Sequence, residues 1–404
     1  IDGNKKNIGG RLSANTFGSK LFVEGPINNK GNTSFIFSGK TSYLNKSSEL
    51  FYKYPTLYFD EKGLPYSYTD LYGKVSTKGK NGSKLNVFGF NFADKVNYEG
   101  ISELNWNSKG VGSEFILIPG GSPVLIEGNF AWSSYNTILK EFESNGRIRE
   151  RSSEINGYNM GMDFTYFQAK GKVKYGFDVH GFSTNFLTYN SVNSEVEAAV
   201  NTSDFSAYLN YQFTSTRWIV EPGFRLQYYG NIGSSPEPRL GIKYIASERM
   251  RIKLSAGLYS QNLQSTISDR DVVNLFTGII STDVEKVGGE YDQKLQKAQH
   301  LITGIEYDIS NKIDFQLEGY VKDFYQFLNI NRNMTSNGDP EFIVESGIAK
   351  GVDALVKYKA KKLYIWAVYS LGLITRNDGE REYNPHFDRR HNVNFVTSYK
   401  FGKN

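Results

Sequence analysis

Hydrophobic and polar residues alternate along much of this chain with a period of two. In the stretch 301–309, which reads LITGIEYDI, Leu301 falls on one face and Glu306 on the other. The stretches 172–181 and 217–228 alternate in the same way. Because successive side chains of a strand point to opposite faces, this period predicts β-strands rather than helices.

The alternating segments predict about eighteen strands, roughly one for every 22 residues. Short polar turns are expected at 28–32, 80–83, 120–123, 169–172, 246–249 and 310–312. Longer links are expected at 45–66, 139–154, 262–297 and 331–342. Short turns at one end and long loops at the other are typical of an outer-membrane β-barrel. Neither a helix pattern nor a linker interrupts the series, so we expect one barrel domain over residues 1–404.

A soluble β-sandwich or propeller, for example a secreted β protein, is the alternative fold for an alternating chain. Two segments, 206–214 and 251–261, are longer than the strands of about five or six residues that are usual in soluble proteins. A membrane-spanning strand needs about 9–11 residues. A propeller would also repeat every 40–50 residues or so, and no such repeat is visible. We therefore favour the transmembrane barrel.

The composition is rich in rings and poor in continuous apolar sequence. Aromatic residues make up 15% of the chain, glycine contributes 40 residues and proline only 10. Hydrophobic residues reach only 39%, and the mean hydropathy is −0.47. The aromatic content excludes a disordered chain. The combination suits strands with one apolar face and one wet face.

Charge and reactive residues exclude several classes of function. The net charge of +5, from 47 basic and 42 acidic residues, gives no clustered basic surface, so no nucleic-acid partner is expected. The chain has no cysteine, which excludes disulfides and thiolate metal sites. The four histidines (His180, His300, His386 and His391) are scattered and do not have metal-ligand spacing. We therefore expect no metal site, no cofactor and no enzymatic activity.

The segment SGKTSYL at residues 38–44 contains a Gly-Lys-Thr triplet that resembles the end of a phosphate-binding loop. That loop also needs a glycine five residues before Gly39, but Ser34 stands there. No helix pattern follows the triplet. We interpret the segment instead as a strand that places Lys40 on the wet face and Phe37 on the lipid face.

Four stretches resemble one family, the TonB-dependent outer-membrane receptors of the Bacteroidota type. Residues 20–44 resemble an early barrel segment of that family, in which an EGP turn leads into a TSF-containing strand. Residues 234–261 resemble a mid-barrel hairpin with a PRL strand and a Tyr-Ser-Gln end. Residues 349–371 and 384–404, the latter with a DRRHN run, resemble the late strands. Together these stretches follow the family's order along most of the chain.

The resemblance implies the barrel of an active transporter in the bacterial outer membrane. Such a transporter imports a nutrient such as a metal chelate, an oligosaccharide or a peptide. The resemblance implies three kinds of partner: the TonB energy-transducing complex, outer-membrane lipid with lipopolysaccharide, and a surface lipoprotein. The competing hypotheses are a passive porin and a structural barrel within a larger envelope or secretion complex.

The sequence departs from the family at both ends. It contains no recognisable plug domain or TonB-box segment, and it stops at KFGKN rather than at an aromatic residue. Neither does it begin with the hydrophobic core of a signal peptide. About eighteen strands plus four would give the 22 of plugged outer-membrane transporters. We therefore expect an incomplete stretch of a larger receptor.

The candidate site residues fall into two groups. Six rings of the first long loop are candidates for substrate binding: Phe51, Tyr52, Tyr54, Tyr58, Phe59 and Tyr66. An aromatic girdle at the membrane boundary is an equally good interpretation of these rings. Four basic residues are candidates for facing the lumen or a plug: Lys40, Arg225, Arg389 and Arg390. For the last two, ion pairing with Asp388 is the favoured interpretation.

Overall fold

A computed structural model describes residues 2–28, 31–44, 46–47, 65–189, 194–230, 232–266, 278–281, 295–331, 335–336, 338–340 and 342–402. The described residues form twenty-one β-strands, and no helix among them is long and apolar enough to cross a membrane. The strands are β1 Gly9–Ala14, β2 Gly18–Pro26, β3 Thr33–Ser42, β4 Tyr66–Lys78, β5 Lys84–Tyr98, β6 Ser102–Leu117, β7 Val124–Phe142, β8 Ile148–Gln168, β9 Gly171–Tyr189, β10 Glu195–Thr214, β11 Trp218–Tyr229, β12 Gly233–Ile245, β13 Met250–Gln261, β14 Leu263–Thr266, β15 Gly278–Ser281, β16 Gln296–Ser310, β17 Ile313–Ile330, β18 Phe342–Lys359, β19 Leu363–Asn377, β20 Glu382–Tyr383 and β21 His391–Tyr399.

Nineteen of these strands form a single antiparallel sheet in which neighbours follow the order of the chain, except that β13 pairs with β16 and β19 pairs with both β20 and β21. β20 has only two residues and pairs with the end of β19, so eighteen longer strands make the wall. This agrees with the predicted number. β14 and β15 form a separate two-stranded hairpin. Within the described residues, β1 pairs only with β2 and β21 only with β19, which leaves two open edges.

The connections differ in length between the two ends of the sheet, as predicted. At one end lie short turns such as 169–170 and 311–312. At the other end lie long connections such as 262–295 and 331–341. In an outer-membrane barrel the short turns face the periplasm and the longer loops face outwards. The loop end is therefore the outward end of this wall.

The predicted long link at 139–154 is wrong, because β7 and β8 continue through most of it. Only residues 143–147 connect these two strands, and β8 extends over 21 residues. Cross-strand ion pairs extend the hairpin towards the loop end, since Arg151 lies 3.2 Å from Glu141. Charged side chains on both faces hid these strand ends from the pattern, because alternation is visible only where one face is apolar.

The β14–β15 hairpin identifies the concave face of the sheet. β15 packs against β8 and β9, and β14 approaches β17, which is several strands further along the wall. The Ile279 N–H donates to Ser153 Oγ at 2.9 Å. A short hairpin can touch both parts only if it crosses the interior of a curled sheet. Ser153 and every second residue of β8 therefore face the interior.

The convex face carries exposed apolar side chains in a continuous band. On β8 the side chain of Met160 points away from the interior, and the register places Phe130 and Val179 beside it. Phe130 is 48% exposed, and further along the wall Leu301 is 52% exposed. Exposed apolar surface this extensive is unfavourable in water and is expected against lipid. The sheet is thus the membrane-spanning wall of an antiparallel β-barrel.

Candidate functional site

The concave face near the loop end is the candidate site, because it combines polar, charged and aromatic side chains. Of the six predicted substrate-binding rings, Phe51, Tyr52, Tyr54, Tyr58 and Phe59 lie outside the described residues. Tyr66 begins β4, and its hydroxyl lies 2.9 Å from that of Tyr98 with the rings edge to face. Its role in binding substrate stays a prediction.

Lys40 lies within β3, where it pairs with Asp70 of β4. The paired residues can be followed from Lys40 and Asp70 across the neighbouring strands to β8, where they lead to the face that contains Ser153. Lys40 therefore lies on the concave side. Its Nζ is 2.9 Å from Asp70 Oδ2 and 4.6 Å from the centre of the Tyr68 ring. The Gly-Lys-Thr triplet is therefore part of a regular strand and not of a phosphate-binding loop. Contact of Lys40 with a plug stays a prediction.

Arg225 of β11 lies in a concave-face network that joins β9, β10 and β11. Its guanidinium donates to Ser206 Oγ at 2.6 Å and to Gln227 Oε1 at 3.0 Å. The same group lies 3.5 Å from Asp178 of β9. These partners satisfy the charge within the wall itself. Contact of Arg225 with a plug, in addition to these bonds, stays a prediction.

The network continues onto β8. The Tyr208 hydroxyl donates to Asp163, and Lys174 Nζ lies 3.1 Å from the same carboxylate. Acidic, basic and phenolic groups therefore alternate across β8 to β11. Such a face is wet and rigid, and it is suited to contact with a polar occupant of the lumen.

Two buried carboxylates lie where the long connection after β13 enters the interior. Asp204 is 5% exposed and accepts a hydrogen bond from Asn262 Nδ2 at 3.0 Å. Glu237 is 3% exposed and accepts the backbone N–H of Ser260 at 2.8 Å. Its other oxygen lies 2.6 Å from Arg239. Asn262 precedes β14, so these contacts fix the point at which the chain turns into the lumen.

A third buried carboxylate, that of Glu345, organises the loop ends of β17 to β20. Glu345 is 4% exposed and accepts hydrogen bonds from Asn329 at 2.9 Å and from the Tyr383 hydroxyl at 3.1 Å. Arg376 lies 3.7 Å from it and also covers the Phe327 ring. Burial and the Glu345 carboxylate raise the pKa of the Tyr383 hydroxyl. The neutral phenol therefore remains a donor at all physiological pH values.

Arg389 and Arg390 lie in the connection that precedes β21 and not within the barrel wall. Arg390 Nε donates to Asp388 Oδ2 at 3.0 Å, and its side chain is 54% exposed. The other oxygen of Asp388 accepts the Ile374 N–H at 3.0 Å. Arg389 is exposed. Ion pairing with Asp388 is thus present for Arg390, whereas contact of either arginine with a plug stays a prediction.

Sequence reasoning missed the buried carboxylates of this face. An acid that directly follows an apolar run, as Glu345 follows Phe-Ile-Val in FIVESGI, is the signal that could have marked one of them. Asp204 and Glu237 stand in alternating strands at positions where any wet-face residue is expected. Within the described part of the chain, no group of three or more potential ligands could hold a metal ion.

Solved structures with the same architecture are outer-membrane receptors and transporters. A chain of the FpvAI–pyocin S2 complex superposes with a TM-score of 0.71 at 12% identity, covering 98% of this chain and 61% of that one. The copper transporter OprC gives 0.65 at 11% identity, with coverages of 99% and 66%. FauA, the alcaligin outer-membrane receptor of Bordetella pertussis, gives 0.65 at 12% identity, with coverages of 96% and 63%.

The chain has the fold of an outer-membrane receptor barrel. It spans about three-fifths of the length of the matched chain in the FpvAI–pyocin S2 complex. No protein-family model and no curated protein matches the sequence. The fold and the exposed apolar band together place the wall in an outer membrane.

Proposed function

We propose that this chain is the barrel part of a TonB-dependent transporter of the Bacteroidota type that imports a nutrient across the outer membrane. The observation that carries the proposal is the β14–β15 hairpin, which crosses the interior from β8 and β9 towards β17. A passive porin needs an open aqueous channel. An interior that is crossed by its own loop instead favours a receptor, in which a bound nutrient is released only by an energy-coupled rearrangement.

The nutrient would bind at the loop end of the concave face. Tyr66 and Tyr98 present rings there, and the five candidate rings of residues 51–59 precede them along the chain. Rings with hydroxyl groups suit flat chelates, sugars and peptides, because they combine apolar stacking with a hydrogen-bonding tip. The solved structures with this fold include a copper transporter and an alcaligin receptor, so a metal chelate is the first class to test.

Lys40 and Arg225 would contact a plug domain, which would carry the TonB-binding segment. Both lie on the concave face and both are already fixed by acidic partners, Asp70 and Asp178. Charges held in place by neighbouring strands can bind a second polar surface at a low cost in conformational entropy. Arg389 and Arg390 would contact the same plug or a surface lipoprotein from the loop end.

The two open edges of the sheet would be closed by further strands. A membrane-spanning strand cannot leave its backbone N–H and C=O groups without partners in lipid. β1 and β21 each have one such unpaired side within the described residues. About four additional strands would bring the wall to the 22 expected for a plugged transporter.

The test compares cells that lack the full-length protein with cells in which it is restored. Accumulation of ferric siderophores, copper and oligopeptides is measured with the proton-motive force intact and after its collapse. We expect at least one nutrient to accumulate only when both the protein and the proton-motive force are present. Uptake that does not depend on the proton-motive force would identify a porin. No difference for any nutrient would favour a structural barrel.

A further inference from the structure

A groove with a volume of about 460 Å³ lies on the convex face of the wall, outside the lumen. It crosses β7 to β10 on the loop side of the apolar band. Its lining residues are Trp132, Asn156, Gly157, Tyr158, Gly181, Phe182, Ser183, Asn201, Thr202 and Ser203. None of these residues carries a formal charge.

The groove lies where two large side chains are followed by two small residues along one row of the convex face. The strand register places Trp132, Tyr158, Gly181 and Ser203 side by side on four neighbouring strands. A Cβ atom at Gly181 would lie only 2.4 Å from the Tyr158 ring, so the ring occupies the space above the glycine. Trp132 and Tyr158 nevertheless remain 39% and 47% exposed. Two aromatic rings therefore border a depression in the convex surface of the wall.

The polarity of the convex face changes across this depression. The neighbouring row on the turn side contains Phe130, Met160 and Phe205, which are all exposed to lipid. The neighbouring row on the loop side contains Asn156 and Ser183, which are paired in register. Asn156 Nδ2 donates to Glu154 Oε1 at 2.7 Å. The groove thus lies at the boundary between the hydrocarbon and the headgroups of the outer leaflet.

We propose that this groove binds the sugar headgroup of an outer-leaflet glycolipid through a neutral saccharide ring. Aromatic rings bind the apolar C–H face of a sugar, while amide and hydroxyl groups bind its hydroxyls. The acyl chains would extend along the exposed band that contains Phe130 and Met160. A phosphate headgroup is disfavoured, because it needs basic donors, whereas the lining residues are uncharged and Asn156 is hydrogen-bonded to the acid Glu154.

The test uses the barrel in lipid nanodiscs that contain phosphatidylethanolamine and a small fraction of a second lipid. The second lipid is either a diglucosyl diacylglycerol or phosphatidylglycerol with the same acyl chains. Native mass spectrometry counts the lipid molecules that remain on each barrel. Ser183→Leu removes a hydroxyl and fills the groove. Ser113→Leu is the matched control, because Ser113 also lies on the convex face, beside Val87 and Phe130 but outside the groove.

We expect the unmodified barrel and Ser113→Leu to retain the diglucosyl lipid about tenfold better than phosphatidylglycerol, which corresponds to about 1.4 kcal/mol. Ser183→Leu should lose this preference. Equal retention by Ser183→Leu and Ser113→Leu would overturn the proposal, as would equal retention of the two lipids by the unmodified barrel. If Ser183→Leu does not fold, Asn156→Ala takes its place and should lower retention by severalfold, and unchanged retention would again overturn the proposal.

Discussion

Lys20 and Lys40 are two neighbouring positive charges on the interior face, and only one of them has an ion pair in the described part of the chain. They lie opposite each other on β2 and β3. Lys40 also has Asp70 beside it at 2.9 Å, whereas Lys20 is exposed and has no ion pair within the described residues. The pair is partly exposed, so its contribution to the free energy of unfolding is small. At this position the described interior face thus carries one lysine that is held in an ion pair and one that is not.

Replacing Lys40 should therefore lower the free energy of unfolding by a small amount. Lys40→Met leaves Asp70 without its partner, and we expect it to lower the free energy of unfolding by about 0.5 kcal/mol. Lys20→Met is the matched control and should be neutral or slightly stabilising, because it removes a like-charge neighbour. The measurement is the midpoint of urea unfolding in lipid vesicles. Identical midpoints for the two variants would contradict the assigned ion pair.

The carboxylate of Asp339 should make the stability of the connection between β17 and β18 depend on pH. Its carboxylate accepts the N–H groups of Thr335 at 2.8 Å and Ser336 at 3.0 Å, and these bonds hold its pKa below the ordinary value. A depressed folded-state pKa gives stability that is fully present above the unfolded value of about 3.9. That stability is lost as the pH falls through the folded-state pKa.

Amide hydrogen exchange of this connection at different pH values tests the prediction. The Thr335 and Ser336 amides should be protected at pH 6 and should lose that protection at pH 2, after correction for the intrinsic exchange rate. Asp339→Ala should remove the protection at both pH values. Protection that is unchanged at pH 2 would contradict the role of the ionised carboxylate.

At the scale of the strand, alternation determined how much could be predicted from the sequence. Where one face meets lipid and the other is wet, as in β16 and β17, the period of two is visible and the strands are found. Where β7 and β8 extend beyond the lipid, both faces carry charged side chains and the alternation is obscured, so the predicted link was too long. The position of Glu345 could not be predicted either, because its burial depends on contacts from β17 to β20.

The β14–β15 hairpin is the element that sequence reasoning could not place. It lies within the predicted long link at 262–297, and its two strands have only four residues each. Its position depends on the Ser153–Ile279 contact, which joins residues 126 positions apart in the chain. Contacts at such separation leave no local pattern in the sequence.

Removing the Ser153 hydroxyl should loosen this hairpin. Ser153→Ala deletes the acceptor of the Ile279 N–H, which costs about 1 kcal/mol and should speed exchange of that amide about fivefold. Ser152→Ala is the control, since Ser152 points to the opposite face of β8. The Ile279 amide is followed by hydrogen exchange in detergent or lipid. Equal exchange in both variants would contradict a hairpin anchored in the interior.

At the scale of the whole molecule, the account depends on the sheet having a lipid face and a polar interior face. The convex band, the concave ion pairs and the hairpin that crosses the interior all follow from that arrangement. The proposed transport function and the proposed glycolipid groove both require it. They can fail separately, because one depends on the interior and the other on the convex face.

The most direct test is a scan of spin-label accessibility along β10 in lipid vesicles. The chain has no cysteine, so single-cysteine variants at residues 205 to 212 can be labelled without other changes. We predict that labels at 205, 207, 209 and 211 are accessible to oxygen dissolved in lipid, and that labels at 206, 208, 210 and 212 are accessible to a water-soluble nickel complex. This period of two would extend over the whole segment. Uniform accessibility to the nickel complex would contradict the account and would indicate a soluble β protein.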